Sequence, residues 1–196
     1  MLLKKILGNN KARLKRILKI PHKVNTKDRI ILENIIIPFY LARKNNQRLL
    51  FVGCAPYTKH YNEYFKDHEY WTIDPDPSQK YFGAKDKHYI IPLEEIDNYF
   101  DADFFDLIIC NGVFGYGLNQ PHQCEKAFNN CFKCLKDNGS LIIGWNNVPQ
   151  YKPLDLDSLE SLRKFKKQKQ SPFDTEEVKT EGFANHTFNF YQKQSA

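Results

Sequence analysis

Apolar residues along this chain fall into short runs separated by polar turns. Residues 49–52, 70–73, 88–91, 106–110 and 141–146 have the length and the β-branched or aromatic content of strands buried on both faces. Residues 186–191 instead alternate, as a strand with one buried face does. Helical spacing appears between these runs. Asn25 and Thr26 offer an N-cap for a helix reaching about residue 44, with Ile30, Ile31, Ile35, Ile36 and Leu41 covering more than half its circumference. Pro38 lies inside it and predicts a kink, because proline has no N–H to donate. Residues 58–65 predict a short helix with Tyr61, Tyr64 and Phe65 on one side, and residues 78–82 a helical turn closed by Gly83. Cys124, Ala127, Phe128, Cys131, Cys134 and Leu135 recur at helical spacing over residues 122–137, before Asn138 and Gly139 stop the pattern. A last helix is predicted over residues 154–167, ending in a basic run.

The stretch from Arg48 to Asp74 organises the rest. It reads strand, small-residue turn, helix, strand, acid, with Asp74 lying 21 positions after Gly53. A turn of small residues lets backbone approach a ligand, and a carboxylate at the next strand end can take ribose hydroxyls. A second loop, Asn111-Gly112-Val113-Phe114-Gly115-Tyr116-Gly117, follows the fourth strand. In an open parallel sheet it faces Gly53 at the switch in strand order.

On these residues the chain resembles the class I S-adenosylmethionine-dependent methyltransferases. Their first strand and turn usually read V-L-D-I-G-C-G-T-G. This chain has Leu49-Leu50-Phe51-Val52-Gly53-Cys54-Ala55-Pro56-Tyr57, so Gly53 and Cys54 match. Phe51 stands at the acidic position, and Ala55 and Tyr57 at the second and third glycines. The helix, the turn Lys136-Asp137-Asn138-Gly139 and the strand after it resemble the family's L-K-P-G-G-x-L-L segment. The resemblance covers residues 48–146. It implies a Rossmann-like three-layer α/β sandwich, with a mostly parallel seven-stranded sheet whose last strand is antiparallel.

The cofactor implied is S-adenosyl-L-methionine. Gly53, Cys54 and Ala55 would cradle its methionine part, with Tyr57 as a wall. Asp74 would accept from the ribose hydroxyls, Leu93 would flank adenine, and Asn111 and Gly112 would meet the amino-acid portion. Methyl transfer from a sulfonium is an in-line displacement in which the protein mainly aligns the partners. An acceptor amine or hydroxyl can need a general base. His60, Tyr116 and His122 are the candidates by their place in loops near the carboxyl edge. The fourth strand does not run into the Asp/Asn-Pro-Pro-Tyr pattern of enzymes that methylate bases, which argues against nucleic acid. A small-molecule or lipid-linked acceptor is the expectation. The departures in the glycine turn keep an alternative open: a degenerate cofactor-binding or adaptor module.

Charge divides the chain into an arm, residues 1–24, and a single α/β domain, residues 25–196. The net charge is +6, and eight basic residues lie within residues 1–24. The remaining 21 basic residues face 23 acids, a balance near −2. The arm carries two short apolar stripes, Leu2, Leu3, Ile6 and Leu7, then Leu14, Ile17 and Leu18. It reads either as a solvated arm or as a basic amphipathic helix on an anionic membrane surface. The expected setting is the cytoplasm, with the solvated arm the favoured reading and peripheral membrane contact through this arm the alternative. Five cysteines, an odd number, without an apolar leader point to free thiols in a reducing compartment. Cys124, Cys131 and Cys134 with His122 invite a zinc reading, but the thiols share the apolar face of one helix, where cysteine behaves as a small hydrophobe. No metal site is expected.

Overall fold

The computed structural model describes residues 20–182 and 184–195. Most of the basic arm, residues 1–19, therefore lies outside the described residues. Eight strands form one sheet: β1 Arg48–Val52, β2 Glu69–Ile73, β3 His88–Tyr89, β4 Phe105–Asn111, β5 Leu135–Asn146, β6 Phe165–Lys167, β7 Glu177–Lys179 and β8 His186–Lys193. Their order is β3-β2-β1-β4-β5-β8-β6, with β7 also paired to β8. The first five are mutually parallel, and β8 runs antiparallel to its neighbours. β6 and β7 pair with successive parts of the same edge of β8, so eight strands occupy seven positions. This is the expected Rossmann-like, mostly parallel sheet with an antiparallel strand near its end.

Alternation along the strands divides the core into two layers. Leu50 and Val52 of β1, with Ile108 and Cys110 of β4, face the helices α4 (Pro121–Cys134) and α5 (Glu160–Arg163). Leu49 and Phe51, with Leu107 and Ile109, face the opposite layer. That layer holds the helical segment α1 (Lys27–Ile31), a π turn over Leu32–Ile36, and α2 (Ile37–Leu41), followed later by α3 (Tyr61–Tyr64). Phe51 packs edge-on to Tyr61, ring centres 5.0 Å apart. The position where the family carries an acid is used here for packing.

The kink expected at Pro38 takes the form of this π turn. Ile37 N–H donates five residues back, to the Leu32 carbonyl, just before the proline that cannot donate. The extra residue rotates the helix face, so Leu32, Ile36, Ile37 and Tyr40 are all buried while Ile30 is exposed.

Three boundaries depart from the sequence pattern. The helix expected over residues 154–167 is instead a 3-10 turn, Leu156–Ser158, then the short α5, then β6. Phe165 leaves the helical pattern because it pairs opposite Lys193 on β8 and packs in the core. The helix expected to end at residue 137 ends at Cys134, since Leu135 already pairs with Phe105. Residues 136–139 then stand opposite Asp106 as a bulge before Ser140 pairs with Leu107, with Asn138 left-handed at φ 62°. β3 closes after Tyr89, short of the expected residue 91. Cys124, Cys131 and Cys134 are fully buried in the layer between α4 and the sheet, and burial pushes all three thiols above their ordinary pKa.

Candidate functional site

The strand order reverses between β1 and β4, and a cleft of about 360 Å³ opens there, beyond their carboxyl ends. The turn after β1 forms its floor. Gly53 has φ +84°, a conformation that favours glycine, and a Cβ there would press on Val113 Cγ2 at 3.0 Å. Cys54 N–H donates to Asp74 Oδ2 at 2.7 Å, and Gly53 N–H to the Ile73 carbonyl at 2.9 Å. The turn and the acid are thus joined on one edge of the sheet. Asp74 is only 9% exposed. Its Oδ1 accepts from Asp76 N at 2.9 Å, which leaves each carboxylate oxygen with lone-pair capacity.

Gly53, Cys54, Tyr57, Asp74, Leu93, Asn111, Gly112 and Tyr116 all line the cleft. Gly112 has φ +75° and open space where a Cβ would stand, while its N–H donates to the Gly144 carbonyl at 2.8 Å. Burial, then the neighbouring Asp74 charge, pushes the Cys54 thiol up to about 12, so it stays protonated. Three expected residues stand outside the cleft lining. Ala55 has its N–H taken by Thr58 Oγ1 at 3.0 Å, where the chain enters a 3-10 turn. His60 packs between Tyr61 and Tyr64, its Nε2 3.3 Å from Glu33. His122 is exposed on the first turn of α4.

One lining residue carries no motif in the sequence. Arg29, on α1, is 7% exposed and faces the cleft. Its guanidinium lies 4.4 Å from the Tyr57 ring centre and donates to the Tyr61 hydroxyl at 3.0 Å; that hydroxyl donates to Glu33. Among the described residues Arg29 makes no ion pair. A buried cation with a neutral hydroxyl and an aromatic face as partners suits an incoming anion. The helix before β1 therefore does two jobs: it covers the sheet with Leu32 and Ile36, and it presents Arg29 to the cleft. Its neighbour Ile30 is exposed, so the hydropathy pattern alone points Arg29 to the wrong side.

This donor set fits an adenosyl amino acid. A carboxylate stands beside the β1 turn, apolar Ile91 and Leu93 form a wall, and a buried guanidinium awaits an anion. The family model of the methyltransferase domain matches residues 50–143, a span that includes Gly53, Asp74, Leu93, Asn111 and Gly112. A search of curated protein sequences returns no significant match. Among solved structures the chain is similar to the N-methyltransferase NodS from Bradyrhizobium japonicum in complex with S-adenosyl-L-homocysteine. The identity is 15% and the TM-score 0.66, over 87% of this chain and 90% of that one. It is similar also to a SAM-dependent methyltransferase from Methanosarcina mazei, with 13% identity and a TM-score of 0.59 over 83% and 98% of the two chains. The 1,6-didemethyltoxoflavin-N1-methyltransferase of Burkholderia thailandensis shares 14% identity and a TM-score of 0.57, over 82% and 76%. At these identities the likeness is one of fold. Strand order, cleft and matched segment agree: residues 50–143 carry a methyltransferase domain, on the fold of the class I S-adenosylmethionine-dependent methyltransferases.

Proposed function

We propose that this chain transfers a methyl group from S-adenosylmethionine to a small-molecule or lipid-linked acceptor. The observation that carries the reading is the pairing of Asp74 with Arg29 in one cleft. The cofactor has a ribose diol for the first and a carboxylate for the second. When bound, it supplies a methyl group on a positively charged sulfur. Asp74 accepts from the ribose hydroxyls, and Leu93 flanks adenine. Gly53, Cys54 and Gly112, whose N–H groups are engaged within the fold, let the backbone come close to the methionine part, with Asn111 at its amino end. Arg29 pairs with the carboxylate, and Tyr57 forms the wall beneath it. Tyr116, in the glycine-rich loop, is the candidate to meet the acceptor. It is half exposed, and burial followed by the nearby Tyr151 raises its pKa, so it works as a neutral hydroxyl.

Calorimetric titration with S-adenosylhomocysteine and with 5′-methylthioadenosine, which lacks the amino-acid end, tests the assignment. D74A is expected to weaken both ligands about ten- to a hundredfold, the scale of lost bonds to a charged group of about 1.5–3 kcal/mol. R29M keeps the apolar stem and is expected to weaken only S-adenosylhomocysteine, by a similar factor. A wild-type protein that binds neither ligand ends the reading.

A second reading, cofactor binding without turnover, is favoured by the turn itself. Phe51, Ala55 and Tyr57 replace the family's acid and two glycines, and the Ala55 amide is engaged internally. Affinity for S-adenosylhomocysteine combined with no methyl transfer across amine, hydroxyl and lipid acceptors would select it. In either case residues 1–24 are the proposed membrane contact, with the cytoplasm as the setting.

A further inference from the structure

Beneath the cleft, a chain of polar side chains crosses the carboxyl ends of two strands and the amino end of a third, antiparallel one. Asn111 closes β4, Asn146 closes β5 and His186 opens β8. His186 Nε2 lies 3.0 Å from Asn111 Oδ1, and Nδ1 lies 2.6 Å from Asn146 Oδ1. Asn146 Nδ2 reaches the Tyr116 hydroxyl. Asn111 and Tyr116 line the cleft, whereas His186 is only 6% exposed and does not. Its carbonyl is held by both the N–H and the hydroxyl of Thr180. Gly144 makes the crossing possible: a Cβ there would overlap Asn111 Oδ1, so β5 is bare where Asn111 reaches over it to His186.

The ring's protons do not cover both oxygens. Burial pushes the imidazole from its ordinary value near 6.5 down to about 4, with Asp28 raising it and Arg29 lowering it from α1. At neutral pH the ring therefore carries one N–H and one bare nitrogen. It can donate to one asparagine carbonyl only, so the other amide must turn its NH2 toward the ring. With the proton on Nε2, Asn111 accepts from the ring and turns its NH2 to the cleft. Asn146 then gives its NH2 to Nδ1 and its oxygen to Tyr116, whose hydroxyl proton is used there and whose lone pairs face the cleft. With the proton on Nδ1, both ends reverse: Asn111 offers an oxygen and Tyr116 an O–H.

We propose that His186 is a positioning residue whose single ring proton holds Asn111 and Tyr116 in opposite polarity, so that the cleft presents one donor and one acceptor to the methionine end of the cofactor and the incoming nucleophile. The proposal rests on the methyltransferase reading for its ligand, but not for the proton count.

Two measurements on the full chain test it. Nitrogen-15 spectra of histidine-labelled, ligand-free protein are expected to show His186 with one protonated and one bare nitrogen at pH 7, held as a single tautomer down to about pH 5. A doubly protonated ring, or two tautomers in rapid exchange, overturns the proposal. In parallel, H186F is expected to weaken S-adenosylhomocysteine about tenfold. H186Q, which keeps one donor and one acceptor, should stay within about threefold of wild type, and ligand should move the wild-type ring signals. Wild-type affinity in H186F, or equal loss in both variants, marks a purely structural histidine and overturns it. Should the wild-type protein bind no adenosyl ligand, the function reading fails, while the ring spectra still decide the proton count.

Discussion

A buried imidazole shows most directly how single residues tie stability to the site. The His186 ring is held neutral by burial, with a pKa near 4 against about 6.5 when exposed. Between these values the unfolded chain binds more protons than the folded one. Stability is therefore full above about pH 6.5 and falls as pH drops toward 4, with about 2 kcal/mol lost by pH 5. Asp28 and Arg29 face the ring from α1 with opposing effects. Asp106 behaves in the opposite sense: burial pushes its pKa up, but Lys136, the Arg48 amide and Lys44 outweigh this and hold it below the ordinary carboxylate range. Its contribution is present above about pH 4 and is lost only at lower pH. Urea unfolding of wild type and H186Q at pH 7 and pH 5 is expected to show the larger loss in wild type; parallel losses would remove His186 as the cause. In the sequence, position 186 reads only as the first residue of an alternating strand. Its two asparagine neighbours come from strands 75 and 40 residues away, and only the sheet brings them together.

At the scale of elements, packing decides what periodicity leaves open. α4 is the most legible helix because Cys124, Ala127, Phe128, Cys131 and Cys134 share one face and all are fully buried. Truncating Phe128 to alanine in that layer is expected to destabilise the fold by about 3–5 kcal/mol, seen as a lower urea midpoint with an unchanged slope. A loss under about 1 kcal/mol would mean the layer is loosely packed. The segment 154–167 is less legible. Its apolar spacing suits a helix, yet β8 exposes an edge that Phe165–Lys167 can pair, and the ladder prevails over a marginal helix of few turns. The π turn before Pro38 is a similar case. Proline predicts a break, but the rotated face that buries Ile36 and Ile37 together follows from the sheet beneath it.

On the whole-molecule scale, the described chain enters beside the cleft. His22 N–H donates to the Pro56 carbonyl, and its ring stands edge-on to Tyr57, 6.4 Å away, on the wall that also carries Arg29. The described chain from residue 20 thus lies beside the mouth of the proposed site. No helix among the described residues is long and apolar enough to cross a membrane. Sedimentation with vesicles containing anionic phosphatidylserine is expected to carry down the full chain and to release it with rising salt. A chain lacking residues 1–24 should stay in the supernatant, and equal partitioning of the two would end the membrane proposal.

What the sequence alone determines here is local: short apolar runs that must be strands, turns that must hold glycine, and an acid set at the end of the second strand. From these follow the parallel sheet, its switch point and the place of Gly53 and Asp74. Tertiary structure decides which polar groups share a space. Arg29 is a surface-like basic residue until the β1 turn and Tyr57 enclose it, and His186 is a strand end until Gly144 lets Asn111 reach it. The reason is physical. Strand and helix preference arise from neighbours a few positions apart, whereas desolvation and hydrogen bonding depend on groups the chain brings together from far away.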